Sequence, residues 1–186
     1  MEFKKIQLNG FKSFAEITNF LIEKGLTGIV GPNGCGKSNI VEYLRWVMGE
    51  TSAKSMRGSG MEDVIFSGTS NKASKNIAEV SIELENKEKE GPIQYRELEN
   101  IQVRRKIEKD KGSKFYINDK EVRARDAQMF FADLSTGAHS PSMISQGRIG
   151  ALVTAKPTDR RAILEEAAGI SGLHVRRHEA ELRLGA

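Results

Sequence analysis

The sequence predicts an α/β fold in which a mixed sheet surrounds a phosphate-binding loop and an antiparallel meander lies beside it. Three observations carry this prediction. Gly31 to Ser38, read GPNGCGKS, fits the pattern G-x-x-x-x-G-K-[ST]. A short apolar run, Leu26 to Val30, opens straight into that loop, and apolar residues at helical spacing follow it. Further along, Val80, Ile82 and Leu84 alternate with Glu79, Ser81, Glu83 and Glu85, as a strand with one wet face requires.

The elements follow in order. Phe3, Ile6 and Leu8 mark a first short strand over 2–8, broken at Gly10, and Ile17 to Ile22 a second. Leu26 to Val30 suits a buried strand. After Ser38, the residues Ile40, Val41, Leu44, Val47 and Met48 form one helical face, with Glu42 and Arg45 off it, and Gly49 ends the helix. Residues 50–76 show little periodicity apart from a short strand, Val64-Ile65-Phe66. The meander comprises the run around Val80, a charged loop from Asn86 to Gly91, and a second alternation, in which Ile101, Val103 and Ile107 oppose Gln102, Arg104 and Lys106. KFYINDKEV adds a tight turn at Asn118-Asp119. Helices are predicted over 124–134 and 158–168, the latter with Ile163, Leu164, Ala167 and Ala168 as its buried stripe. After Gly172, Leu173, Ala180 and Leu184 fall at heptad-like spacing over less than two heptads. The pattern is still running at Gly185-Ala186, a poor helix ending, so the sequence reads as truncated.

Composition narrows the function. With 186 residues, 38% hydrophobic and 29% charged, the chain suits one domain with a sizeable core. There is no apolar run of membrane-spanning length, and Met1-Glu2-Phe3-Lys4-Lys5 lacks an apolar signal region, which argues against export. A lone cysteine, Cys35, excludes an internal disulfide framework and suits the cytoplasm. The formal net charge is only +4. Basic residues nevertheless cluster at Arg104-Arg105-Lys106, Lys109 to Lys114, Arg123 with Arg125, Arg160-Arg161 and Arg176-Arg177. Such clusters attract nucleic acid without sequence preference, although a solvated mixed-charge surface looks the same.

The loop residues have distinct tasks. Gly31, Gly34 and Gly36 permit tight backbone angles and bring N–H groups close to phosphate oxygens. Pro32, Asn33 and Cys35 fill the variable positions, Lys37 reaches the β and γ phosphates, and Ser38 coordinates Mg²⁺. The helix starting there adds its positive end. MFFAD (Met129 to Asp133) has the look of a Walker B strand, but it fits a helix as well and no glutamate follows Asp133. LSTG (Leu134 to Gly137) imitates an L-S-G-G signature but directly abuts it, in the wrong order. Neither is accepted.

NGFKSF at 9–14, GPNGCGKSNIVEYLRWVMGE at 31–50, KSMRG at 54–58, SQGRI at 145–149 and KPTDRRAILEEAAGI at 156–170 together resemble one family. It is the N-terminal head segment of the structural maintenance of chromosomes (SMC) ATPases, most similar to the bacterial branch. The resemblance covers nearly the whole chain. It implies the N-terminal lobe of an ABC-type ATPase head over 1–157, and a head-exit helix beginning a coiled-coil arm over 158–186. By the same resemblance, Lys12 and Ser13 approach the nucleotide, joined by Asn39 after the loop. Gln146, otherwise an ordinary loop glutamine, completes magnesium coordination and serves catalysis with Lys37. Arg57, otherwise a loop arginine, links DNA to stimulated hydrolysis. The implied cofactors are ATP and Mg²⁺. The implied partners are sequence-nonspecific DNA, the C-terminal head segment of the same protein, a second copy through heads and a distal hinge, and kleisin-type accessory subunits, with no membrane. The expected role is nucleoid-associated chromosome condensation and segregation; a coiled-coil DNA-repair ATPase is the alternative. The Walker B acids and the signature would lie in the C-terminal segment, which leaves the isolated chain without turnover.

Overall fold

The computed structural model describes residues 1–89, 91–134, 153–158, 160, 161, 164, 177, 181 and 184. Six strands and two helices organise it: β1 (Glu2–Asn9), β2 (Thr18–Leu21), α1 (Asn39–Val47), β3 (Ile77–Glu85), β4 (Asn100–Glu108), β5 (Gly112–Ile117), β6 (Lys120–Val122) and α2 (Ala124–Asp133). The strands form one sheet in the order β2-β1-β3-β4-β5-β6, every neighbouring pair antiparallel. The α/β class therefore holds, but the sheet built by the described strands is antiparallel throughout rather than mixed.

The difference lies at Leu26 to Val30. This run forms no strand, and Leu26 is 100% and Val30 92% exposed. Apolar character made it look like a buried strand, but a strand needs a neighbour, and no described segment lies alongside it. The expected strand at 64–66 shrinks as well. Met61–Val64 is a 3-10 turn, and only Ile65 makes a bridge, to Phe11.

Alternation fixes one buried sheet face. Ile6 and Leu8 lie opposite Ile82 and Val80, which in turn lie opposite Val103 and Arg105. α1 packs on β3 and β4, and α2 on β5. Phe11 anchors the centre, edge-on to Tyr43 at 4.6 Å and to Trp46 at 5.0 Å. At the hairpin between β5 and β6, Asn118 and Asp119 take φ of 46° and 62°, the paired left-handed turn that their residue types favour.

Two polar side chains tie the helices down. Arg105 occupies an inward position of β4 and is 3% exposed. Its Nη1 donates to the carbonyls of Trp46 and Glu50, each at 2.7 Å, and its Nε to Ser113 Oγ at 2.7 Å. It thereby satisfies carbonyls at the C-terminal end of α1 while its guanidinium lies over the Trp46 and Phe115 rings. Burial lowers its pKa to about 10, so the charge persists at neutral pH. The triplet Arg104-Arg105-Lys106 is thus no open polyanion patch. Arg105 is internal, and Arg104 pairs with Glu79 and Asp119, each at 3.1 Å. Gln128 of α2 donates to the Gly49 carbonyl at 2.7 Å, and a Cβ on Gly49 would lie 2.3 Å from Gln128 Cγ. With φ of 104° as well, position 49 requires glycine.

MFFAD lies within α2, with Phe130 and Phe131 buried, so it is helix and not a Walker B strand. Residues 157, 158, 160, 161 and 164 are helical, as are 177, 181 and 184. Leu164, expected on a buried stripe, is 70% exposed; Ile163, Ala167 and Ala168 lie outside the described residues.

Candidate nucleotide-binding site

The loop from Gly31 to Ser38 opens directly onto α1. Gly34 and Gly36 take φ of 82° and 93°, the left-handed angles that turn successive amides toward one side. Among the described residues, the amides of 33–38 donate to no backbone carbonyl. Lys37 curls back over the loop, and its Nζ donates to the Gly31 and Pro32 carbonyls, each at 2.5 Å, with Cys35 Sγ at 3.9 Å. Ser38 stands at the helix N-cap, and its hydroxyl makes no capping bond. This is the donor set that a polyphosphate needs: unspent amides, an ammonium and a helix N-terminus. Among the described residues, no group of three or more His, Cys, Asp or Glu gathers to hold a metal by itself.

The turn between β1 and β2 buttresses the loop. A Cβ on Gly36 would meet Ser13 Oγ at 2.7 Å and the Phe14 ring at 3.3 Å, so a third glycine function appears, close approach. Asn39 Nδ2 donates to Ser13 Oγ at 3.4 Å. Burial pushes the Tyr43 phenol up to about 12, against an opposing pull from neighbouring Ser13 and Asn39. Its hydroxyl makes no hydrogen bond in proper geometry.

Behind the loop, charges converge on Glu42, which is 5% exposed on α1. Its Oε2 accepts from Lys12 Nζ, and its Oε1 lies 2.9 Å from Arg57 Nε. Lys12 Nζ also donates to the Met56 carbonyl at 2.6 Å. The segment carrying Arg57 is ordered by Asp63, whose carboxylate accepts the Ser59 and Gly60 amides at 2.6 and 3.0 Å. Those two amides and the Ser59 hydroxyl hold the Asp63 carboxyl below its usual range, the Gly60 amide contributing most.

The structure thus brings Ser13, Asn39 and the 31–38 loop together. Lys12 it places on Glu42 and Met56, and Arg57 on the same carboxylate. Gln146 lies outside the described residues. Glu42 itself escaped sequence reasoning, because a glutamate beside a helical apolar face reads as solvated.

The model of the RecF/RecN/SMC N terminal domain matches residues 2–148. The chromosome partition protein Smc of Cereibacter sphaeroides is 57% identical over 186 residues, all of this chain and 16% of that protein. A solved Smc head bound to the C-winged helix domain of ScpA is 30% identical, with a TM-score of 0.85, over 92% of this chain and 52% of that one. A second solved structure, from a study of ATP-driven dimerization and DNA-stimulated activation of SMC ATPases, is 30% identical with a TM-score of 0.75. The match covers 90% of this chain and 99% of that one. The chain spans about 16% of the length of the curated relatives it matches. Loop, sheet and sequence point the same way, and the chain belongs to the RecF/RecN/SMC N terminal domain family.

Proposed function

We propose that this chain is the N-terminal lobe of an SMC ATPase head, which binds Mg-ATP and DNA and serves ATP-dependent head engagement in chromosome condensation and segregation. The observation that carries the reading is the 31–38 loop, with Lys37 curled into it and its amides unspent at the start of α1. Lys37, Ser38 and the loop amides bind and orient the polyphosphate; Gln146 completes the magnesium shell and Arg57 answers to DNA. Residues 1–157 form the lobe, and 158–186 begin the arm. The protein works in the cytoplasm on the nucleoid.

Hydrolysis needs a positioned acid to orient water, and α2 carries none in that role, since Asp133 ends a helix. The C-terminal head segment of the same protein supplies it, together with the signature that faces the phosphate loop of a second copy. Kleisin-type subunits attach to the assembled heads. The exposed Leu26, Ile29 and Val30 support this reading, because they leave apolar side chains open for another segment to cover.

The test is reconstitution. Alone, the chain should turn over no ATP; mixed with its C-terminal head segment it should hydrolyse ATP, faster with DNA. Lys37→Ala in the reconstituted head should lower kcat by on the order of 10²-fold or more. Turnover by the chain alone at the reconstituted rate would overturn the reading.

A further inference from the structure

We propose that Glu42 is a positioning residue that couples the Arg57 segment to the phosphate loop, acting through the two cations it holds; this rests on the reading of Arg57 as the residue that answers to DNA. Three segments meet at this one carboxylate. Glu42 sits in the first turn of α1, the helix that Ser38 opens. Lys12 comes from the turn after β1 and reaches Oε2, while Arg57 comes from the 54–64 segment and reaches Oε1 at 2.9 Å. Lys12 also ties those two segments together, its Nζ donating to the Met56 carbonyl at 2.6 Å and its amide to the Val64 carbonyl at 2.7 Å.

The two cations are held at a conformational cost. Lys12 and Arg57 have φ of 45° and 55°, left-handed angles that non-glycine residues adopt only where the surroundings impose them. They differ in access. The Lys12 side chain is 15% exposed, whereas that of Arg57 is 66% exposed and touches Glu42 only through Nε. A polyanion can therefore draw Arg57 outward, and Glu42 is then left with Lys12 alone. The undivided carboxylate holds Lys12 harder. The next residue, Ser13, abuts Gly36 and accepts from Asn39, so a change in the hold on Lys12 is delivered to the loop that grips phosphate.

The experiment is a double-mutant cycle in the full-length protein: Glu42→Gln, Arg57→Ala and both together, with ATP turnover measured with and without duplex DNA. The expected result is that the DNA-stimulated kcat falls to the DNA-free value in each single variant, with no further loss in the double. Losses that multiply, driving the double below the DNA-free rate of the wild type, would show two independent injuries and overturn the proposal. Loss in Arg57→Ala with full stimulation in Glu42→Gln would overturn it while leaving the Arg57 reading intact. Full stimulation in Arg57→Ala would overturn both. A second measurement needs no substitution at the buried glutamate. Amide hydrogen exchange in Arg57→Ala protein should slow at Lys12 as well as change at 54–58. A change confined to 54–58 would overturn the coupling even if Glu42→Gln failed to fold.

Discussion

Cys35 is exposed within the phosphate loop, and its sulfur lies 3.9 Å from the Lys37 ammonium. Alkylation there puts bulk where phosphates bind. Labelling should abolish nucleotide binding, and Mg-ATP present beforehand should slow the labelling several-fold, as mass spectrometry would report. Normal ATP binding by fully labelled protein would contradict the loop assignment. At this scale the sequence was uneven in what it disclosed. The loop residues were legible because their chemistry demands fixed types at fixed spacing. Arg105 was hidden by its neighbours, since three consecutive basic residues read as surface; yet its place in the alternation with Ile101, Val103 and Ile107 put it inside. Glu42 was hidden because its partners lie 30 and 15 positions away, distances over which no local rule operates.

Among the elements, the seam between β1 and β3 carries a pH-sensitive contact. Glu85 lies 2.9 Å from both Lys87 and Lys4. The Lys87 hydrogen bond, then that of Lys4, lowers the Glu85 carboxyl from 4.5 to about 2. A carboxyl depressed on folding contributes stability above its unfolded pKa and loses it on acidification. The contribution of Glu85 is therefore complete above about pH 4.5 and disappears as pH falls towards 2. Glu85→Gln should remove that part of the acid dependence, and carboxyl-resolved NMR titration should find the low midpoint; a midpoint near 4.5 would refute the arrangement. Helices and antiparallel strands were legible as elements: α1, α2, β3 and β4 fall where periodicity placed them. Pairing was less so, because an apolar run such as 26–30 states only that it must be covered, not by which strand or in which direction.

Taken whole, the described fold is closed on the face where α1 meets the sheet and open along 26–30. Leu26→Ser with Val30→Ser should leave the melting temperature of the chain alone unchanged, since both side chains are already in solvent. Association with the C-terminal head segment should weaken by roughly 3 kcal/mol or more, about a hundredfold in Kd, measured by titration calorimetry. Unaltered affinity would place the contact elsewhere. The closed face has a consequence of its own. Trp46 is the only tryptophan of the chain, and it lies fully buried under the Arg105 guanidinium, 4.4 Å from the ring. Its ultraviolet emission is accordingly a built-in optical gauge, blue while α1 is seated and red once it lifts away. The seating of the helix that begins at the phosphate loop can be followed in real time without attaching a dye.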